Sequence, residues 1–433
     1  MTGDKPAMIC SLLDIQGQPT ALAHLQRVLA GDRMASTWIF AGPEGVGKYT
    51  TALALARARL CFNPQKTVNQ INGQLRVPGL GPEFILTDGC GQCASCHAME
   101  SGSHPDLHLV HRRLARFHDR AGKSKATTLG IDVIRGEITG NASPENRVES
   151  KLYTRAKLGH GKWFIIDEAD LMQAVAQNAL LKALEEPPAG TYIVLITSSP
   201  YELLSTIRSR SQLIEFRSLP MDVLAAPLMA RGLNESGARQ LARISEGSLG
   251  RALQWLSARA EEPSDADGAD SPPPRAAARK RSGSAPAATD AVSNGTPLVL
   301  TWISLIGVTL DKLASQQSGG MALADVLGKC ADQYARIGLE ADPLASRDRL
   351  VRDGVMTMLG FTAEWLDDRL RLAIGTPIPA PLPSAMRGLN PNQIQQCVGI
   401  CHTAERQVDQ NAHVGLLLAS TATALEHSLR AGA

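Results

Sequence analysis

No run of apolar residues in this 433-residue chain reaches the roughly 18 needed to span a membrane, which argues against a helical membrane protein. Met1 to Cys10 lacks the basic-then-apolar order of a secretory signal, so a cytoplasmic location is expected. Excess charge is also missing: 44 Lys and Arg against 42 Asp and Glu leave +2, so nothing global demands a polyanionic partner. Charge can still be arranged locally. Aromatic residues make up only 4%, and no stacking platform for bases accompanies the basic stretch from Arg112 to Lys125. That stretch reads as a solvated insertion. A reducing compartment makes disulfides a poor use for the eight cysteines. Cys10, Cys330, Cys397 and Cys401 lie in apolar or helical surroundings and read as buried thiols.

The length predicts two to four domains. Short apolar runs alternate with helical patterns through the first 215 residues: Ser36 to Ala41 as strand, Thr50 to Cys61 as helix, Trp163 to Asp167 as strand, Gln173 to Glu186 as helix, Tyr192 to Ser198 as strand. Such alternation predicts a parallel sheet with crossover helices. We expect an α/β core over 1–216, with a metal module at 61–97, then a small helical domain over 217–257 broken at Gly247-Ser248-Leu249-Gly250. Residues 258–297 turn to Ala, Pro, Ser, Asp and Arg, and read as a disordered linker whose triplet Arg279-Lys280-Arg281 is solvated charge. Residues 298–433 return to amphipathic patterns and predict a helical C-terminal domain, interrupted at Pro377 to Pro383 and at Asn390-Pro391.

Gly42-Pro43-Glu44-Gly45-Val46-Gly47-Lys48-Tyr49 is a phosphate-binding loop in every position but the last. Gly42, Gly45 and Gly47 let backbone N–H groups close around phosphates, and Lys48 reaches the outer ones. The hydroxyl that ligates Mg²⁺ is replaced by Tyr49, whose oxygen projects too far from the backbone to serve. Thr50 substitutes only if the helix register shifts by one residue. ATP binding is therefore expected to survive better than Mg²⁺-dependent hydrolysis.

Trp163-Phe164-Ile165-Ile166 runs directly into Asp167 and Glu168, as a Walker B strand does. The first acid of that element holds the Mg²⁺ water shell and the second orients the attacking water. Cys90, Cys93 and Cys96 supply three thiolates at two-residue spacing, suited to tetrahedral Zn²⁺. Cys61 leads as the fourth ligand, with His97 and His104 in reserve. Cys93 to His97 also spells C-x-x-C-H, but without an export signal haem attachment is not expected. Arg208 and Arg210 sit after the strand ending at Thr197-Ser198, on an expected exposed corner.

The order of phosphate loop, clustered cysteines, Asp167-Glu168-Ala169-Asp170, Asn178 to Pro188 and Ser209-Arg210-Ser211 resembles bacterial clamp-loader subunits, which are AAA+ proteins. The resemblance covers residues 10 to 256 and resumes near Arg406 to Leu425, where Gln410-Asn411-Ala412 is similar to the C-terminal helix signature. It implies an AAA+ core, a helical lid and a helical collar. It further implies that Arg210 is an arginine finger acting in trans, that Thr197 lies in sensor 1 and that Arg251 is the sensor-2 arginine. The usual Ser-Arg-Cys reads Ser-Arg-Ser here. The altered phosphate loop suits a stator that need not hydrolyse ATP better than the hydrolysing gamma/tau type, whose own Lys48, Asp167 and Glu168 would turn over ATP. Implied partners are gamma/tau and delta subunits, the sliding clamp and, through the assembly, primed DNA. The same helix, Asn178 to Glu186, has a plain packing role for Leu180, Leu181 and Leu184, with Pro187-Pro188 ending it.

Overall fold

The computed structural model describes residues 11–31, 34–118, 128–140, 149–257, 297–343, 345–376, 390–410 and 412–430. Five strands, β1 (Thr37–Ala41), β2 (Leu107–Val110), β3 (Lys162–Ile166), β4 (Thr191–Thr197) and β5 (Gln212–Glu215), form one parallel sheet in the order β2-β3-β4-β1-β5. Every residue of β1 and β3 is buried, as a parallel sheet covered on both faces requires. Alternation then assigns side chains to two layers. Trp38 and Phe40 share a cluster with Leu25, Leu53 and Trp163, whereas Ile39 and Ala41 join Phe164, Leu180 and Leu184. The covering helices are α1 (Pro19–Ala30), α2 (Lys48–Leu60), α3 (Ala94–Glu100) and α4 (Ala174–Glu185). Observed bounds fall within one or two residues of the expected ones. The opening of α2 is the informative difference: Gly47, at φ 99°, is its N-cap, so the helix begins at Lys48 directly from the loop glycine.

Residues 62–89 form two small antiparallel pairs, Gln65–Val68 with Ile85–Asp88 and Gln70–Ile71 with Gln74–Leu75. Fully buried Asn69 organises this segment. Its amide donates to the carbonyls of Val77 (3.0 Å) and Leu80 (3.1 Å) and its oxygen accepts from the Val77 N–H (2.8 Å).

After the sheet come α5 (Met221–Met229), α6 (Glu235–Ile244) and α7 (Leu249–Ser257), followed by α8 (Leu298–Ala314), α9 (Gly320–Ala341), α10 (Arg347–Ala373), α11 (Pro391–Asp409) and α12 (Val414–Arg430). The break expected over 247–250 is shorter, because Gly250 is helical. A Cβ at Gly250 would lie 2.8 Å from the Gly45 Cα, so glycine is there for close approach to the phosphate loop and not to end a helix. These eight helices share one apolar core that includes Leu228, Leu241, Trp255, Trp302, Leu327 and Trp365. Trp255 meets Phe361 edge-on at 5.5 Å. Arg243 donates to Asp368, which is fully buried, at 2.6 and 2.9 Å. Cys330, Cys397 and Cys401 are buried as expected. Cys10, residues 258–296, Pro377 to Pro383 and Asn411 lie outside the described residues. Among the described residues no helix is long and apolar enough to cross a membrane.

Candidate nucleotide and metal sites

Gly42, Gly45 and Gly47 all take positive φ (147°, 71° and 99°), a region that disfavours any side chain. They bend the chain after β1 so that the Lys48 Nζ turns back and donates to the Gly42 (2.5 Å) and Pro43 (2.6 Å) carbonyls. Burial lowers the pKa of Lys48, with Glu44, Asp167 and Asp170 acting the other way. The loop is pinned from outside by Gln18, whose amide donates to the loop's Val46 O (3.3 Å) while also bonding Arg217 O (2.6 Å) and Arg217 N (3.1 Å), and by the Gly250 N–H on Gly45 O (2.9 Å).

Between the loop and helices α5 and α7 lies a cavity of 770 Å³ lined by Gly45, Gly47, Lys48, Tyr49, Thr50, Asp167 and Glu168, with Ile15, Val223, Pro227 and Leu253 on its apolar side. That size and mix of walls suits a nucleotide-sized ligand. Both Tyr49 and Thr50 reach it. Thr197 is almost fully buried outside the lining, its hydroxyl accepting from Ser199 N at 3.0 Å. Arg251 also lies outside it, 3.2 Å from Glu246 and over the Trp255 ring.

The two acids differ in environment. Asp167 is pushed up to about 6 by burial and by Glu168 beside it. Glu168, at φ 52°, accepts two bonds from Arg112 Nε (2.9 and 2.8 Å), and Arg112 Nη2 reaches Asp342, at the end of α9, at 2.8 Å. Arg112 is thus not the solvated charge expected of its segment: it is a largely buried bridge from sheet to helical half. The fork of a guanidinium suits two carboxylates at once, but nothing local in the sequence announces partners 56 and 230 residues away.

The Asp167 shift has a testable sign. Its folded-state pKa lies above the ordinary carboxylate value, so between about pH 4 and 6 the folded chain holds a proton that the unfolded chain has lost, and stability falls as pH rises through that window. In nucleotide-free and Mg²⁺-free buffer, Asp167→Asn should flatten this dependence and raise the melting temperature at pH 7.5 by roughly 2–4 °C. A thermal melt that moves down or stays put at pH 7.5 contradicts the assignment.

Arg210 faces elsewhere. It is outside the cavity lining, its side chain is 38% exposed, and it pairs with Glu185, the last residue of α4, at 2.9 Å.

The cysteines converge from three elements. Cys61 ends α2, Cys93 is the N-cap of α3, Cys96 lies in its first turn, and Cys90 precedes Gly91 at φ 72°. The Cys61 and Cys93 sulfurs are 3.8 Å apart, those of Cys90 and Cys96 are 4.0 Å apart, and all four lie within 4.8 Å of one another. A tetrahedral centre with metal–sulfur bonds of about 2.3 Å needs sulfurs about 3.8 Å apart, so the four fit a metal ion. Burial pushes the Cys61 thiol up to about 12. At Cys93 burial acts the same way, but N–H donors from Cys96 and Phe62 outweigh it and bring the thiol down to about 6. Neither reserve ligand joins. His97 faces Glu100 at 3.8 Å, and buried His104 bonds Ser95 Oγ (3.1 Å) and the Asp106 N–H (3.1 Å).

Residues 81–220 match the family described as DNA polymerase III, delta subunit. The delta-prime subunit of DNA polymerase III from Bacillus subtilis (strain 168) is 30% identical over 228 residues, 53% of this chain and 56% of its own. That of Escherichia coli (strain K12) is 33% identical over 211 residues, 48% of this chain and 51% of its own. The tau subunit of Bacillus subtilis (strain 168) is 26% identical over 236 residues, 54% of this chain and 33% of its own. The chain spans about half the length of the delta-prime relatives it matches. Over about half of its length the chain is therefore similar to the delta-prime subunits of DNA polymerase III and, at lower identity, to gamma/tau subunits.

Proposed function

We propose that this chain is a delta-prime-like subunit of a DNA polymerase III clamp loader, an AAA+ stator that donates an arginine finger while the assembly places the sliding clamp on primed DNA. The observation that carries the reading is Tyr49 at the end of an otherwise formed phosphate loop. Nucleotide held by Gly42, Gly45, Gly47 and Lys48 would there lack the small hydroxyl that draws Mg²⁺ in, which suits a subunit that binds without turnover. In the same reading α5 to α7 are the lid, and α8 to α12 are the collar that meets gamma/tau and delta subunits. Arg210, outside the lining of its own cavity, completes the ATP site of a neighbour. Zinc held by Cys61, Cys90, Cys93 and Cys96 supplies a structural cross-link and no reaction step.

A gamma/tau-type ATPase is the second reading, favoured by one observation: Thr50 lines the cavity together with Asp167 and Glu168. The stator reading is tested by assembling gamma/tau and delta subunits from the same source with and without this chain, and measuring clamp deposition on primed circular DNA. We expect deposition to require this chain. Deposition at full rate in its absence contradicts the reading.

A further inference from the structure

Arg57 lies on α2, four residues before Cys61, and its side chain is 11% exposed. An arginine so placed needs a reason, because burying an unbalanced charge is expensive. Its stem and head fill the space beside the two glycines that flank Cys90. A Cβ at Gly89 would lie 2.7 Å from the Arg57 Cγ, and a Cβ at Gly91 would lie 2.7 Å from its Nη2. The guanidinium lies near Cys96, whose charge would favour the charged arginine, and Glu100 Oε1, at 3.5 Å, is its carboxylate partner at the rim. Four thiolates around a divalent ion carry two net negative charges. A fixed, weakly hydrated cation against them offsets one without any proton exchange.

We infer that Arg57 is the positioning and charge-balancing residue of the tetracysteine centre: threaded past Gly89 and Gly91, it sets its charge against the thiolates and so sets how tightly a divalent metal is held. The inference rests on the zinc reading above. It also gives α2 two roles, since the helix that opens at the phosphate loop with Lys48 ends by supplying both Arg57 and the ligand Cys61.

The test uses the full chain loaded with Zn²⁺, or with Co²⁺ for its thiolate charge-transfer band, and compares wild type with Arg57→Met, Arg57→Lys and Gly89→Ala. Arg57→Met should release zinc to a chelator about 10–100-fold faster while keeping the band intensity of four thiolates. Arg57→Lys should fall between, because a point charge replaces the fork. Gly89→Ala, which displaces the arginine without removing it, should resemble Arg57→Met. Melting temperature should drop in loaded Arg57→Met and change little in the metal-stripped protein. Release within twofold of wild type, or an equal drop with and without metal, overturns the role of Arg57 while leaving the zinc site intact. A wild type that takes up neither ion removes the metal reading and this inference with it.

Discussion

Replacing Arg210 with alanine in this chain alone should reduce turnover at one neighbouring ATP site on the order of 10³-fold, the scale on which an arginine supplied in trans stabilises charge on a transferred phosphoryl group. The side chain is 38% exposed and pairs with Glu185 at 2.9 Å, while Nη1 donates to the Thr206 carbonyl at 3.1 Å. An exposed ion pair of this kind is worth about 0–1 kcal/mol, so releasing it towards a neighbour's phosphate costs little. The same exposure means that Arg210→Ala should leave the fold of the chain unchanged, with a melting temperature near wild type. Arg210→Lys should rescue poorly, because a lysine lacks the planar fork. Ser211 Oγ donates to the Ile207 carbonyl at 2.8 Å and so helps hold the turn that carries Arg210. DNA- and clamp-stimulated ATPase of the reconstituted loader is the readout. A wild-type rate for Arg210→Ala, with intact assembly, removes the finger assignment.

The second large effect belongs to the cysteines. Cys96→Ser should abolish zinc retention and loosen the segment from Cys61 to His104, because a metal held by the four cysteines would tie the end of α2 to the start of α3. A cross-link closing a loop of this size is worth about 4 kcal/mol in the chain-entropy view. Cys96 is fully buried, so the serine also leaves a hydroxyl to satisfy. Hydrogen exchange should rise most across 61–104 and remain slower in β1, β3 and β4, which pair with one another in the sheet and bury one face in a cluster that this segment does not enter. Chelator should bring wild type to the variant's exchange pattern and leave the variant unaffected. A variant that keeps one equivalent of zinc, or a wild type indifferent to chelation, contradicts the four-cysteine centre.

Much of this was legible because it is written locally. The buried strands announce themselves as continuous apolar runs, and the phosphate loop is a contiguous string whose glycines do what the string implies. The clustered thiols Cys90, Cys93 and Cys96 were visible from spacing. Cys61, 29 residues from Cys90, entered only as the residue ending the helix that the loop opens. What the sequence hid is long-range. Arg112 reads as part of a basic surface stretch, yet it joins Glu168 to Asp342. Arg57 reads as one more charge on a helix, yet it lies against the cysteines. Gly250 reads as punctuation, but packing on Gly45 overrides propensity and keeps it helical. The shared core of α5 to α7 with α8 to α12 was equally invisible, since amphipathic faces do not name their partners.

The central claim is that this chain's own phosphate loop does not turn over ATP in the working assembly. Lys48→Ala in this chain, with every other subunit wild type, tests it most directly through the stimulated ATPase rate. The Lys48 Nζ holds the carbonyls of Gly42 and Pro43, so the loop's order is first checked by thermal melting. We expect a rate within about twofold of wild type, against the on the order of 10³-fold site loss expected for Arg210→Ala. A Lys48→Ala loader as impaired as the Arg210→Ala one would contradict the stator account and place hydrolysis in this chain.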